Sequence, residues 1–169
     1  MKHIVIVLFS VLLSLSVIAQ KKENKTTTYY FIRHAEKDRS DSKNRNPNLT
    51  EKGLERAKKW SEVLSNITFD AVYSTNYNRT LQTAKPTADK NNLEITIYDP
   101  RKLGDSAFLN ATKGKTVLVV GHSNTTPAFV NVIIDEKKYQ DIDDSNNANL
   151  YIITISESGD ISETLLKID

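Results

Sequence analysis

A chain of 169 residues, 38% hydrophobic and 26% charged, has the size and composition of one globular domain with a real core, which excludes a fibrous or wholly disordered protein. Its formal net charge is only +2, and its basic residues are interspersed with acidic ones, so it lacks the basic stripe of a nucleic-acid binder. It contains no cysteine, which excludes a disulfide framework, a thiolate metal site and lipid attachment through a cysteine.

The first segment reads as a signal peptide. Met1-Lys2-His3 precedes an apolar run from Ile4 to Ile18, broken only by Ser10, Ser14 and Ser16, and Ala19-Gln20-Lys21-Lys22 follows. At about 15 residues the run is shorter than the roughly 20 that cross a bilayer core. Val17 and Ala19 place small residues ahead of a cut before Gln20. The expectation is a signal peptide over 1–19, a flexible polar leader over 20–27 and a domain over 28–169, with no membrane contact after cleavage; an uncleaved anchor is the alternative. Asn-x-Thr sequons begin at Asn24, Asn48, Asn66, Asn78, Asn110 and Asn124, and those at Asn78 and Asn124 flank the residues singled out below. Glycans there would obstruct that site, which favours a bacterial protein, periplasmic or secreted.

From Thr28 onward, short apolar runs alternate with helical patterns. Thr28 to Arg33, Ala71 to Tyr73, Leu93 to Tyr98 and Thr116 to Val120 read as strands, with helix candidates between them. The clearest helix runs from Thr50, its N-cap, to Ser65, with Leu54, Ala57, Trp60, Val63 and Leu64 on one apolar face. A second spans about Thr80 to Lys90, where Pro86 predicts a kink or a break. Leu150 to Ser156 and Ile161 to Leu166, joined by Glu157-Ser158-Gly159-Asp160, predict an antiparallel hairpin at or near a sheet edge. The pattern implies an α/β fold: a three-layer α/β/α sandwich whose mostly parallel sheet ends in that hairpin.

Beyond the signal only two histidines remain, His34 and His122, and each directly follows a strand run. In open α/β sheets the carboxyl ends of parallel strands are where ligands bind. Arg33 adjoins the first histidine, and Arg79 lies just past Tyr73-Ser74-Thr75. Guanidinium groups match phosphate oxygens bidentately, a neutral imidazole attacks phosphorus, and a cationic one binds the transferring oxygens. Phosphoryl transfer suits this set. Two histidines without cysteine, and without carboxylates at helical ligand spacing, make a poor metal site.

Arg33-His34-Ala35-Glu36, Leu49-Thr50-Glu51-Lys52-Gly53, Tyr73-Ser74-Thr75 with Arg79-Thr80-Leu81-Gln82-Thr83-Ala84, and Gly121-His122-Ser123-Asn124 occur in the order and spacing of a known set. Together they resemble the histidine phosphatase superfamily, in its phosphoglycerate mutase-like branch and near the small phosphohistidine phosphatases. The resemblance covers Thr28 to about Val130. It implies that His34 is the residue phosphorylated, that Arg33, Arg79 and His122 form the phosphate pocket, and that neither metal nor other cofactor is needed. Ala35 departs from the glycine of the usual motif and is expected to bring a tolerated methyl close to the phosphate. The motifs do not match the phytase-like branch, because Arg33-His34-Ala35-Glu36-Lys37-Asp38 and His122-Ser123 stand where its extended signature and His-Asp pair would be.

The resemblance leaves the proton donor open: Asp99, in Ile97-Tyr98-Asp99-Pro100, is the nearest counterpart of the branch's carboxylate, Glu36 is nearer the nucleophile in sequence, and some small phosphohistidine phosphatases lack this acid. Only about 17 residues separate Asp99 from Thr116, too few for a large cap, so an open mouth is expected. The expected function is an exported phosphatase acting on a small phosphorylated substrate or a phosphorylated side chain. A phosphoglycerate-type mutase and an inactive phosphate-binding domain are the alternatives.

Overall fold

The computed structural model describes residues 26–169. The expected signal peptide, and the leader up to residue 25, lie outside the described residues. Among the described residues, β1 (Thr27–Arg33), β2 (Ala71–Ser74), β3 (Ile95–Ile97), β4 (Thr116–Gly121), β5 (Asn149–Ile155) and β6 (Ile161–Lys167) form one sheet in the order β3-β2-β4-β1-β5-β6. Pairings among β3, β2, β4 and β1 are parallel, and those of β1 with β5 and of β5 with β6 are antiparallel. The expected edge hairpin is present, closing through Gly159, whose φ of 92° few L-residues adopt. The first strand starts at Thr27, which is 5% exposed and so belongs to the fold rather than to the leader.

Among the described residues four helices connect the strands: α1 (Glu51–Val63), α2 (Asn78–Lys90), α3 (Ser106–Thr112) and α4 (Thr125–Ile134). Alternation in β1 sends Tyr29 and Phe31 to one face, where they pack with Phe108 of α3 and Phe129, Val130 and Ile133 of α4. Ile32 points the other way, into a cluster with Trp60 of α1 and Ala84 and Ala88 of α2. The sheet is therefore covered on both sides, and β4 is apolar and buried from Val117 to Gly121 because neither of its faces meets water there.

Two expectations about the helices are corrected. Of the expected α1 face, Ala57, Trp60 and Leu64 are buried, but Leu54 and Val63 are 45% and 43% exposed, and Gly53 and Ser61 take their place on the inner face. α2 starts at Asn78 and continues through Pro86 to Lys90 without a break. Ser61 of α1 donates through Oγ to the Pro86 carbonyl at 3.1 Å, a contact that seats α1 against α2.

Thr50 caps α1 as expected, accepting from the Gly53 N–H at 3.1 Å. Its own N–H donates to the Glu36 carbonyl at 2.9 Å, which ties the start of α1 to the segment after β1. A Cβ on Gly53 would stand 2.2 Å from that same Glu36 oxygen. Gly53→Ala is therefore expected to destabilise the protein by about 1–3 kcal/mol, the overpacking cost exceeding the roughly 1 kcal/mol of helix propensity gained. Thermal denaturation checks this; a melting temperature at or above that of the unaltered protein would contradict it.

Candidate active site

β1, β4 and β2 end together. Arg33 pairs with Gly121 and Ser74 with Val120, so His34, His122 and Thr75, each the residue after a strand, emerge side by side at the carboxyl edge of the sheet. The backbone keeps the register one step further, with His34 N–H donating to the Gly121 carbonyl at 2.9 Å. The two imidazole rings lie 5.5 Å apart, nearly edge to face at 69°. Arg79 enters from the first turn of α2, its guanidinium 4.5 Å above the Tyr77 ring. Arg33, His34, Arg79 and His122 thus line one cleft of about 340 Å³, with Lys37, Pro100 and the first residues around α4 on its walls.

The hydrogen bonds fix the proton positions. His34 Nδ1 lies 2.7 Å from the Ala35 carbonyl, which only accepts, so Nδ1 carries the proton and Nε2 keeps its lone pair. His122 is arranged oppositely. Its Nε2 donates to Thr75 Oγ1 at 2.9 Å, Thr75 donates to Thr80 Oγ1 at 3.0 Å, and Thr80 donates to the carbonyls of Thr75 and Tyr77. That chain ends on acceptors, so its direction is set, and His122 Nδ1 is left to accept from Arg79 Nη2 at 3.4 Å. Burial pushes His34 down to about 3, helped by the positive charges of Arg33 and Arg79, and His122 down to about 4, helped by Arg79 and Lys37. Both rings are neutral near pH 7.

Arg33 is 2% exposed and held as a strut. Its Nη1 donates to the carbonyls of Asp143 and Asn146 at 2.8 Å each and of Asp144 at 3.2 Å, and its Nη2 pairs with Asp144 Oδ1 at 2.7 Å. The same loop sends Asn147 Nδ2 to the His34 carbonyl at 2.7 Å. Three guanidinium nitrogens, Arg33 Nε and Arg79 Nε and Nη1, are buried without a hydrogen-bond partner among the described residues. Buried donors are normally paired, so this corner is built to receive an acceptor.

The expected proton donors are placed differently. Asp99 lies outside the cleft, tied to Arg101 by bonds of 2.8–3.3 Å that hold its carboxyl at about 2. Glu36 receives Arg56 Nε on both oxygens at 3.0 Å. Ala35 is also not where its motif position suggested: it is fully buried, and its methyl packs with Leu49 and Ala57 rather than lining the cleft. Thr75, Thr80, Asn147 and the Asp143–Asn146 loop were not singled out from sequence. The turn-rich run Asp143-Asp144-Ser145-Asn146 was the available signal, since β5 runs antiparallel and must begin at the edge where β1 ends. Among the described residues no group of three or more His, Cys, Asp or Glu side chains is arranged to hold a metal ion, and no helix is long and apolar enough to cross a membrane.

The model of the histidine phosphatase superfamily, branch 1, matches residues 29–101. No curated protein matches the sequence. Among solved structures, YhfR from Bacillus stearothermophilus superposes with a TM-score of 0.66 at 17% identity, covering 85% of this chain and 98% of its own. The protein histidine phosphatase SixA, complexed with tungstate, gives 0.64 at 19% identity over 83% and 96% of the two chains. A mutant phosphoserine phosphatase from Entamoeba histolytica, in complex with phosphoserine, gives 0.63 at 15% over 82% and 95%. These likenesses establish the phosphoglycerate mutase-like fold expected from the motifs.

Two outcomes follow. Nitrogen-detected NMR at pH 7 is expected to show His34 as the Nδ1–H tautomer and His122 as Nε2–H, with Thr75→Val converting His122 to a tautomer mixture. Because both folded-state values lie below the 6.5 of a free imidazole, the unfolded chain binds more protons below that pH. Stability from these groups is full above about pH 6.5 and falls as the pH drops toward 4, measurable as declining denaturation midpoints between pH 7 and 5.

Proposed function

We propose that this protein is a metal-independent phosphatase that passes a phosphoryl group from substrate to His34 and then to water. The observation that carries the reading is the set of three unpartnered buried guanidinium nitrogens on side chains that share a cleft with a neutral, Nδ1-protonated His34. Arg33 Nε and the free donors of Arg79 bind non-bridging oxygens. His34 Nε2 attacks phosphorus in line, and the bond to the leaving group breaks with its electron pair. His122, protonated on Nδ1 once a phosphate dianion offsets the surrounding cations, donates to the oxygens as charge builds. Water then attacks phosphohistidine, releasing inorganic phosphate and restoring the ring.

The carboxylates at or near the cleft are engaged elsewhere: Asp99 with Arg101, Asp144 with Arg33 and Arg39, Glu36 with Arg56. That favours substrates whose leaving group departs with little protonation, such as phosphohistidine or aryl phosphates. SixA, named a protein histidine phosphatase, shares this fold. We take the chain to act outside the cytoplasm of a bacterium after cleavage ahead of Gln20. Intact mass and N-terminal sequencing of protein from an exporting host are expected to give Gln20 as the first residue.

His34→Ala is expected to lower kcat/KM on an aryl phosphate by about a thousandfold or more, while the melting temperature changes little. Rapid quench with a radiolabelled substrate should trap an acid-labile, alkali-stable phosphoenzyme in the unaltered protein and none in the variant. Retention of substantial activity by the variant would rule out His34 as nucleophile.

A further inference from the structure

β6 forms one edge of the sheet, and its bonding to β5 fixes what that edge presents. Ile155 pairs with Ile161 and Leu150 with Leu166. Just beyond the pairing, the Ser156 N–H donates to the Asp160 carbonyl at 2.9 Å and the Ile168 N–H to the Ala148 carbonyl at 2.8 Å. Antiparallel bonding alternates, so Ser162, Thr164 and Leu166 turn their backbone groups to β5, whereas Ile161, Glu163, Leu165 and Lys167 turn theirs outward. Such an edge is a template for another strand, and proteins commonly blunt it with proline, a bulge or a very short strand. The opposite edge, β3, has only three residues. β6 instead runs seven residues in unbroken register without a proline, and its large apolar side chains Ile161, Leu165 and Leu166 are 41% to 43% exposed.

The sequence of β6 is also complementary to itself. When two copies of the strand pair antiparallel about a two-fold axis, outward-facing residues must meet one another, and the registers that keep most of the strand paired centre on Glu163, Thr164 or Leu165. Centring on Glu163 sets two carboxylates face to face. Centring on Thr164 sets Glu163 against an apolar Leu165, and Lys167 against Ile161. Centring on Leu165 sets that leucine against its own counterpart and each Glu163 opposite the partner's Lys167. Opposite charges and apolar pairs across strands stabilise a sheet, and like charges destabilise it, so the third register wins. Lys138 and Tyr139 both donate to Glu163 and hold its carboxylate on that face, while Lys167 meets its own Asp169 at 3.8 Å. On the other face Leu166 lies diagonal to the partner's Leu166, within reach of a side chain of that length.

We propose that β6 is a self-association edge: two copies of this chain pair their β6 strands about Leu165 into one sheet of twelve strands, six from each copy. The two-fold axis reverses the strand direction between copies, so the two clefts open at opposite ends of that sheet. One strand from each side makes a small interface, and the dimer is a weak one, with a Kd of about 1–100 µM.

Sedimentation equilibrium of protein from an exporting host, over about 1–300 µM at pH 7.5, is expected to show a reversible monomer–dimer equilibrium. Leu165→Lys sets two ammonium groups face to face at the axis and should weaken the dimer about tenfold or more, with little change in melting temperature. Because the chain has no cysteine of its own, introduced ones report the register. Leu165→Cys should oxidise to a disulfide-linked dimer, since facing residues of a hydrogen-bonded pair have Cα atoms about 5.5 Å apart. Ile161→Cys, roughly 27 Å from its counterpart in this register, should not. If Leu165→Lys did not fold, the two cysteine variants would still decide. A monomer at every concentration, as for an edge that serves an unrelated protein or none, overturns the proposal. So does a dimer that Leu165→Lys leaves unchanged, or crosslinking of Ile161→Cys as readily as of Leu165→Cys.

Discussion

The parallel pairing of β1 with β4, and of β4 with β2, is the constraint on which the rest depends. Parallel strands end on the same side, and the register found here brings the three ends level. Each side chain just past a strand is then held by a backbone still bonded to its neighbour, so His34, His122 and Thr75 sit at fixed separations without a specific bond between the two rings. The connection from β2 into α2 adds Arg79 to the same edge, and the antiparallel entry into β5 adds the Asp143–Asn146 loop.

Gathering positive charge at one edge is unfavourable, and the structure manages it in two ways. Arg33 spends its two terminal nitrogens on three backbone carbonyls and the Asp144 carboxylate, which turns a repelling cation into the strut of a loop. Burial keeps both imidazoles uncharged, so two further positive charges are avoided until an anion is present. The donors left over, Arg33 Nε and two nitrogens of Arg79, belong to side chains that line the same cleft as His34. The neutral imidazoles thus follow from burial, and the unpaired donors from the way Arg33 and Arg79 place their hydrogen bonds.

Much of this could be read from the sequence, for identifiable reasons. Strands buried on both faces are continuous apolar runs, and Thr116 to Val120, most of β4, announced itself that way. Thr50 and Gly53 obey local rules of capping and close approach that involve few neighbours. The inner face of α1 was less legible: Leu54 and Val63 are apolar but lie on the rim of the contact, and burial goes to the small residues Gly53, Ala57 and Ser61 because α1 lies close against Glu36 and α2. Pro86 reads as a breaker by local rules, yet packing carries α2 through it. Asp99 had a fitting place along the chain, but Arg101, two residues on, captures its carboxylate.

By itself the sequence determined the layered α/β architecture, the placing of both histidines past strand ends and the four residues that meet at the cleft. These follow from apolar periodicity and from motifs carried on contiguous residues. Tertiary structure alone decided which nitrogen of the His122 ring bears its proton, how Arg33 divides its bonds, that the methyl of Ala35 turns into the core, and that no carboxylate among the described residues pairs with Lys37. These depend on groups 47 to 113 residues away, such as Thr75 for His122, Thr83 for the backbone of Ala35 and Asn146 for Arg33, and only the folded chain sets those distances.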